Sequence, residues 1–186
     1  MKKLIFPLVF LFSTAIFAQE EETVYKRDTA KNELSIGALN LVAFGALDIA
    51  YERILSNNTS WAIEGFILAL NRDNEDPSEI YSREASLTGK YKYFFGDGPA
   101  TGFYVNGLAM LSNGKYHVDI FNENGNMIAE TESDYTDFAL GFGLGVKFVA
   151  KQGFFLDMAT GIGRNLFNPN SPTIVGQLNI NLGMRF

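Results

Sequence analysis

The stretch Gln177-Leu178-Asn179-Ile180-Asn181-Leu182-Gly183-Met184-Arg185-Phe186 alternates without a break. Successive side chains of a strand point to opposite faces, so Leu178, Ile180, Leu182, Met184 and Phe186 share one face and Gln177, Asn179, Asn181, Gly183 and Arg185 the other. Such a strand has two homes. In a soluble sheet protein the apolar face rests on a core. In a barrel set in lipid it points outward, and the polar face lines the lumen. The rest of the chain favours lipid.

The first residues read as a secretory signal. Lys2 and Lys3 supply the positive start, 4–17 the apolar stretch, and Ala15-Ile16-Phe17-Ala18 a small residue before Gln19, which suits cleavage after Ala18. As a retained anchor the run is short for ~30 Å of hydrocarbon, and Ser13 and Thr14 interrupt it. The expected organisation is a signal peptide over 1–18, a flexible periplasmic lead-in over 19–32 and a barrel over 33–186. Losing Lys2 and Lys3 with the leader takes the net charge from −6 to −8, which argues against a nucleic-acid partner. The chain has no cysteine, hence no disulfide, no thiolate metal site and no lipidated cysteine. Beyond the leader no apolar run approaches the ~20 residues of a membrane helix. Yet 47% of the residues are hydrophobic. An exported chain of this kind is either a soluble periplasmic sandwich or small barrel, or an outer-membrane barrel, whose strands give weak hydropathy signals.

Turn residues divide the barrel region into eight strand-like runs, 33–42, 46–55, 61–70, 83–95, 103–121, 127–149, 154–167 and 173–186. The number is even, and most runs reach the about 9–11 residues that a tilted membrane strand needs. The connections after the second, fourth and sixth runs are short, as periplasmic turns are in such barrels, and most of the others are long. The tight Ala43-Phe44-Gly45 turn is the exception. The fifth and sixth runs exceed a bilayer, so 113–135 is expected to stand above it as a polar hairpin. Tyr51, Trp61, Tyr93, Phe95, Phe103, Phe148, Phe154 and Phe186 all fall near the short turns or the last residue. They are expected to form an aromatic girdle at the inner interface.

Period two also gives the lumen face. The expected polar network is Asp48, Glu52, Glu64, Lys90, Lys92, Lys147, Asp157 and Arg185, with Glu84, Ser86, Thr88, Asn106, Gln177, Asn179 and Asn181 beside it. An eight-stranded barrel leaves an interior just wide enough for side chains to fill it. Paired charges forming a plug are therefore expected in preference to an ion path. Gly141, Gly143, Gly145, Gly161 and Gly163 face inward on this register, giving room to bulky neighbours or to curvature. Gly141-Phe142-Gly143-Leu144-Gly145 is no phosphate loop, because no helix follows it.

Catalytic chemistry is sparse. His117 is the single histidine, so a zinc site of Cys and His is out of reach. A hydrolase triad would need His117 with Ser112 and Asp119 or Asp134, but no nucleophile motif surrounds the serine. His117 is read as a loop residue and the chain as non-enzymatic. Asp73, Glu75, Asp76 and Glu79, and Glu123, Glu130, Glu132 and Asp134, form acidic outer segments. They lack calcium-loop spacing and are read as solvated charge. No cofactor, metal or catalytic residue is expected.

The terminal Asn181-Leu182-Gly183-Met184-Arg185-Phe186, the rhythm of eight runs, and Leu47-Asp48-Ile49-Ala50-Tyr51-Glu52-Arg53 resemble small outer-membrane β-barrel proteins of Bacteroidota, within the OmpA/OmpX/OmpW-like group. The resemblance covers roughly 33–186. It implies an eight-stranded antiparallel up-and-down transmembrane barrel in the outer membrane, with Phe186 as the signal read by the assembly machinery. The chain carries no peptidoglycan-binding domain after the eighth run, so a cell-wall tether is not expected. The expected role is structural or surface-interactive, as a monomer in contact with outer-membrane lipids and lipopolysaccharide. The alternatives are OmpW-like passage or binding of a small hydrophobic solute, a soluble periplasmic lipid-binding barrel, and a lipid hydrolase using His117.

Overall fold

The computed structural model describes residues 30–69, 83–121 and 127–186, with side chains described outside 116–133. The signal peptide at 1–18, most of the lead-in, the acidic residues at 73–79 and Glu123 lie outside the described residues.

Eight strands close into an antiparallel barrel in which each pairs with its neighbours in sequence and β1 pairs with β8. They are β1 (Asn32–Gly37), β2 (Ala46–Ile54), β3 (Thr59–Leu68), β4 (Arg83–Phe94), β5 (Gly102–Phe121), β6 (Met127–Val149), β7 (Phe154–Asn165) and β8 (Ile174–Arg185). Alternation dictates the arrangement. In β8, Leu178, Leu182 and Met184 are exposed outside the barrel, as is Phe186 just after it, while Gln177, Asn179, Asn181 and Arg185 are buried within it. The same division runs around the wall, so the exterior is apolar and the interior is rich in charge. The turns after β2, β4 and β6 lie at one end with Phe186, here the turn end. The opposite end is the loop end, where β5 and β6 extend as a ladder up to Phe121↔Met127.

The first run departs from expectation. Instead of a strand over 33–42, β1 stops at Gly37 and a one-helix segment, α1 (Ala38–Phe44), takes its place before β2. Alternation fails at Ala38-Leu39, and the only polar residue, Asn40, sits where a helix turns it into the lumen, leaving Leu41 and Val42 exposed outside. Gly45 ends the helix with φ 65°, a left-handed conformation that suits glycine, and its N–H donates to the Asn40 carbonyl. As a result β8 runs on past its last β1 pair, Gly37↔Asn181, with α1 lying alongside it and β2.

Candidate functional site

The lumen is built in layers. Nearest the turn end lies a chain of charges. Glu33 receives Lys147 Nζ at 2.6 Å and Arg185 Nε at 2.7 Å. Lys147 also reaches Glu52 at 2.8 Å, Glu52 receives Lys92 at 2.7 Å, and Lys92 reaches Asp157 at 2.9 Å. Tyr104 donates its hydroxyl to Asp157 and Ser60 donates to Glu52. Three carboxylates meet three cations in this layer, so no net charge is buried there, which is the condition under which such a network is tolerated. Lys147 also lies over the rings of Phe94 and Phe155, and Lys92 over Tyr104.

The layer is closed from below. The turn after β4 folds under the barrel, placing Ala100, fully buried with φ 44°, against Ile54, Phe94 and Tyr104. Arg185 donates to the carbonyls of Pro99 and Ala100 and is itself wholly buried. The turn end is thus stoppered by apolar side chains and a guanidinium.

A second layer follows towards the loop end. Lys90 binds Glu64 at 2.6 Å, and the Asn179 amide donates to both Glu64, at 2.9 Å, and Asp48, at 3.3 Å. Asn40 of α1 donates to the same Asp48 oxygen at 2.7 Å. Above this the lumen turns apolar: Leu108, Met110 and Ala139 cluster with Val175, and Arg83 lies over the Phe66 ring. At the loop end Asp137 accepts from the backbone N–H groups of Phe138, Phe167 and Asn168 and from Ser171 Oγ, which fixes the connection between β7 and β8.

The structure therefore brings Glu52, Lys92, Lys147, Asp157 and Arg185 into one network and Asp48, Glu64 and Lys90 into another. Glu84 is corrected: it is exposed, because the pairing of β4 with β5 shifts between Arg83 and Ala85 and sends Arg83 inward in its place. Sequence reasoning passed over Glu33, Asn40, Ser60, Arg83 and Tyr104. Glu33 was legible, since it shares the alternating face of Ser35. Gly143 and Gly145 leave no room for more than hydrogen against Asn106 and Tyr104, a Cβ at Gly145 falling 2.5 Å from the Tyr104 ring.

The aromatics Tyr51, Trp61, Tyr93, Phe95, Phe103, Phe148, Phe154 and Phe186 stand on the outside towards the turn end. Tyr51 meets Trp61 edge-on at 5.8 Å, and Phe95 touches both Tyr93 and Phe103. Of the residues weighed for hydrolysis, the serine stands apart from the histidine. Ser112 pairs with Asp137 and His117 with Glu132, five ladder positions apart, roughly 16 Å along the strand. Asp134 pairs with Lys115. Among the described residues no group of three or more His, Cys, Asp or Glu could hold a metal ion.

No protein-family model matches the chain, and no curated protein does. Among solved structures it is similar to the N-terminal β-barrel domain of Pseudomonas aeruginosa OprF, with a TM-score of 0.48 and 13% identity over 84% of this chain and 98% of that one.

Proposed function

We propose that the chain is an outer-membrane barrel that crosses the bilayer with its eight strands, keeps its lumen closed to solutes, and serves a structural or surface-contact role through its loop end. One observation carries this reading: the barrel is inside-out. Leu34, Ile36, Ile49, Leu111, Phe142 and Leu182 are exposed on the wall while Glu33, Lys147 and Arg185 are buried. In water an apolar exterior of that extent drives association. In hydrocarbon it is the stable arrangement, and full closure leaves no sheet edge unpaired in lipid beyond what α1 covers. The aromatic ring near the turn end suits the inner interface, and Phe186 would be the residue read by the assembly machinery. Lipids and lipopolysaccharide are the partners of the wall, and the barrel acts as a monomer. The stoppered turn end supports a role without conduction.

Two measurements test this. The protein should stay in the envelope pellet under alkaline extraction and require detergent for release; release without detergent overturns the membrane reading. Reconstituted in a planar bilayer, it should show no steady open channel, and a persistent unitary conductance overturns the closed lumen.

A further inference from the structure

The outer wall is not evenly covered. Between β2 and β6 it carries a groove of about 580 Å³. Leu47 and Ile49 border one end, Ile67 and Leu87 the middle, and Leu111, Asn113 and Thr136 the other end. All of these side chains are exposed. Gly65 lies in the groove between Ile49 of β2 and Leu87 of β4, its partners in register. No neighbour demands a glycine there, since a Cβ would meet nothing within 4 Å. Glycine weakens a strand, and on an open face its use is to let something outside approach the backbone.

The groove slants. The ladder line that starts at Glu33 passes Glu52, Ala62, Lys90, Leu108, Gly141 and Gly163 and reaches β8 at Val175. That is far to the loop-end side of Arg185, with which Glu33 itself pairs. Lines drawn across the strands therefore climb towards the loop end from β2 to β6. Ile49, Gly65, Leu87 and Leu111 share one such line, and Leu47, Ile67, Ala85, Asn113 and Thr136 the next. The groove runs with these lines, so Leu47 and Ile49 form its low, apolar end and Asn113 and Thr136 its high, polar mouth. Just above, Lys115 stands opposite Asp134 on the outer face.

A groove that is apolar below and polar at its mouth matches an amphiphile standing in the leaflet at the loop end. Four strand spacings come to about 19 Å, and on a slant that length stays within one leaflet of a ~30 Å hydrocarbon core. The Asn113 amide and the Thr136 hydroxyl are donors, at the height where a lipid's ester carbonyl would lie. We propose that this groove holds one acyl chain of a lipid in the loop-end leaflet, its tail towards Leu47 and its ester carbonyl at Asn113 and Thr136. The proposal rests on the bilayer-spanning reading.

The test reconstitutes the full-length barrel in phosphatidylcholine vesicles. A fraction of the lipid carries a diazirine, either beside the ester or near the end of one acyl chain, and the photolabelled positions are mapped by mass spectrometry. The ester-side probe should label around Leu111 and Asn113, and the tail-end probe around Leu47 and Ile49, each above the level on the rest of the wall. Gly65→Leu, which fills the groove, should lose both labels. Gly176→Leu, at an exterior glycine of β8 where a Cβ also meets nothing within 4 Å, should keep them. Asn113→Leu combined with Thr136→Val, which removes the polar mouth, should lose the ester-side label. Labelling spread evenly round the wall, the two probes in reversed order, labels that survive Gly65→Leu, or an ester-side label unmoved by the double variant each overturns the proposal and leaves the membrane reading standing. So does a disulfide-linked pair of barrels formed by Leu87→Cys, in a chain with no other cysteine, because a second copy would then cover the groove. Absence of label from the whole wall overturns the membrane reading and the proposal together.

Discussion

At Glu33 both carboxylate oxygens are taken, one by Lys147 and the other by Arg185. Glu33→Gln removes the charge and keeps the shape, leaving two buried cations to share the remaining carboxylates. The expected loss is about 3–5 kcal/mol, read as a lower urea midpoint for the folded barrel. Glycines separate just as sharply by position. A Cβ at Gly141 would fall 2.3 Å from the Ile162 carbonyl oxygen, a backbone atom that cannot turn aside, whereas one at Gly107, on the exterior, meets nothing within 4 Å. Gly141→Ala should impair folding and Gly107→Ala should not; equal behaviour of the two in a refolding yield assay would contradict the register of β6 against β7. At this scale the sequence is a poor guide to partners. The faces of Lys147 and Glu33 follow from parity, but 114 positions separate them, and only the closed barrel brings them together.

Elements were legible where period two is clean and hidden where it is not. In β8 and β6 the polar and apolar faces alternate, and their inward sets follow directly. The segment 38–44 is apolar apart from Asn40 and fits a strand or a helix on pattern alone; its helical state depends on the Asn40 contact with Asp48 and on the left-handed Gly45. Gly45→Ala should therefore destabilise the fold by ~1 kcal/mol, and Gly45→Asn by less, as a thermal unfolding series would record. The bulge in β4 was equally invisible, since one slipped residue exchanges Glu84 for Arg83 at the lumen. On the lipid face proposed for β8, Leu182→Arg should cost about 2–4 kcal/mol, seen as reduced insertion into vesicles. Gln177→Ser, on the lumen face with only a 3.4 Å bond to Thr88, should be mild.

At the scale of the molecule, the single tryptophan is a built-in depth gauge. Trp61 stands on the outer wall next to Tyr51, two positions from the start of β3. In vesicles of lipids brominated at successive depths, its fluorescence should be quenched most by bromine near the headgroups and least by bromine at the bilayer centre; no quenching at any depth would place the wall out of lipid. The way the circle closes has a consequence for assembly. β1 and β8 meet over five pairs, from Glu33↔Arg185 to Gly37↔Asn181, fewer than at any seam except the equally short one between β1 and β2. Hydrogen bonding along that seam is meagre, but Glu33 arrives with β1 and Arg185 with β8. A seven-strand sheet lacking β1 would leave Lys147 and Arg185 without the carboxylate they share, so part-closed sheets should be scarce when refolding is followed by gel mobility, and closing the seam should tie the two ends of the chain together in a single step.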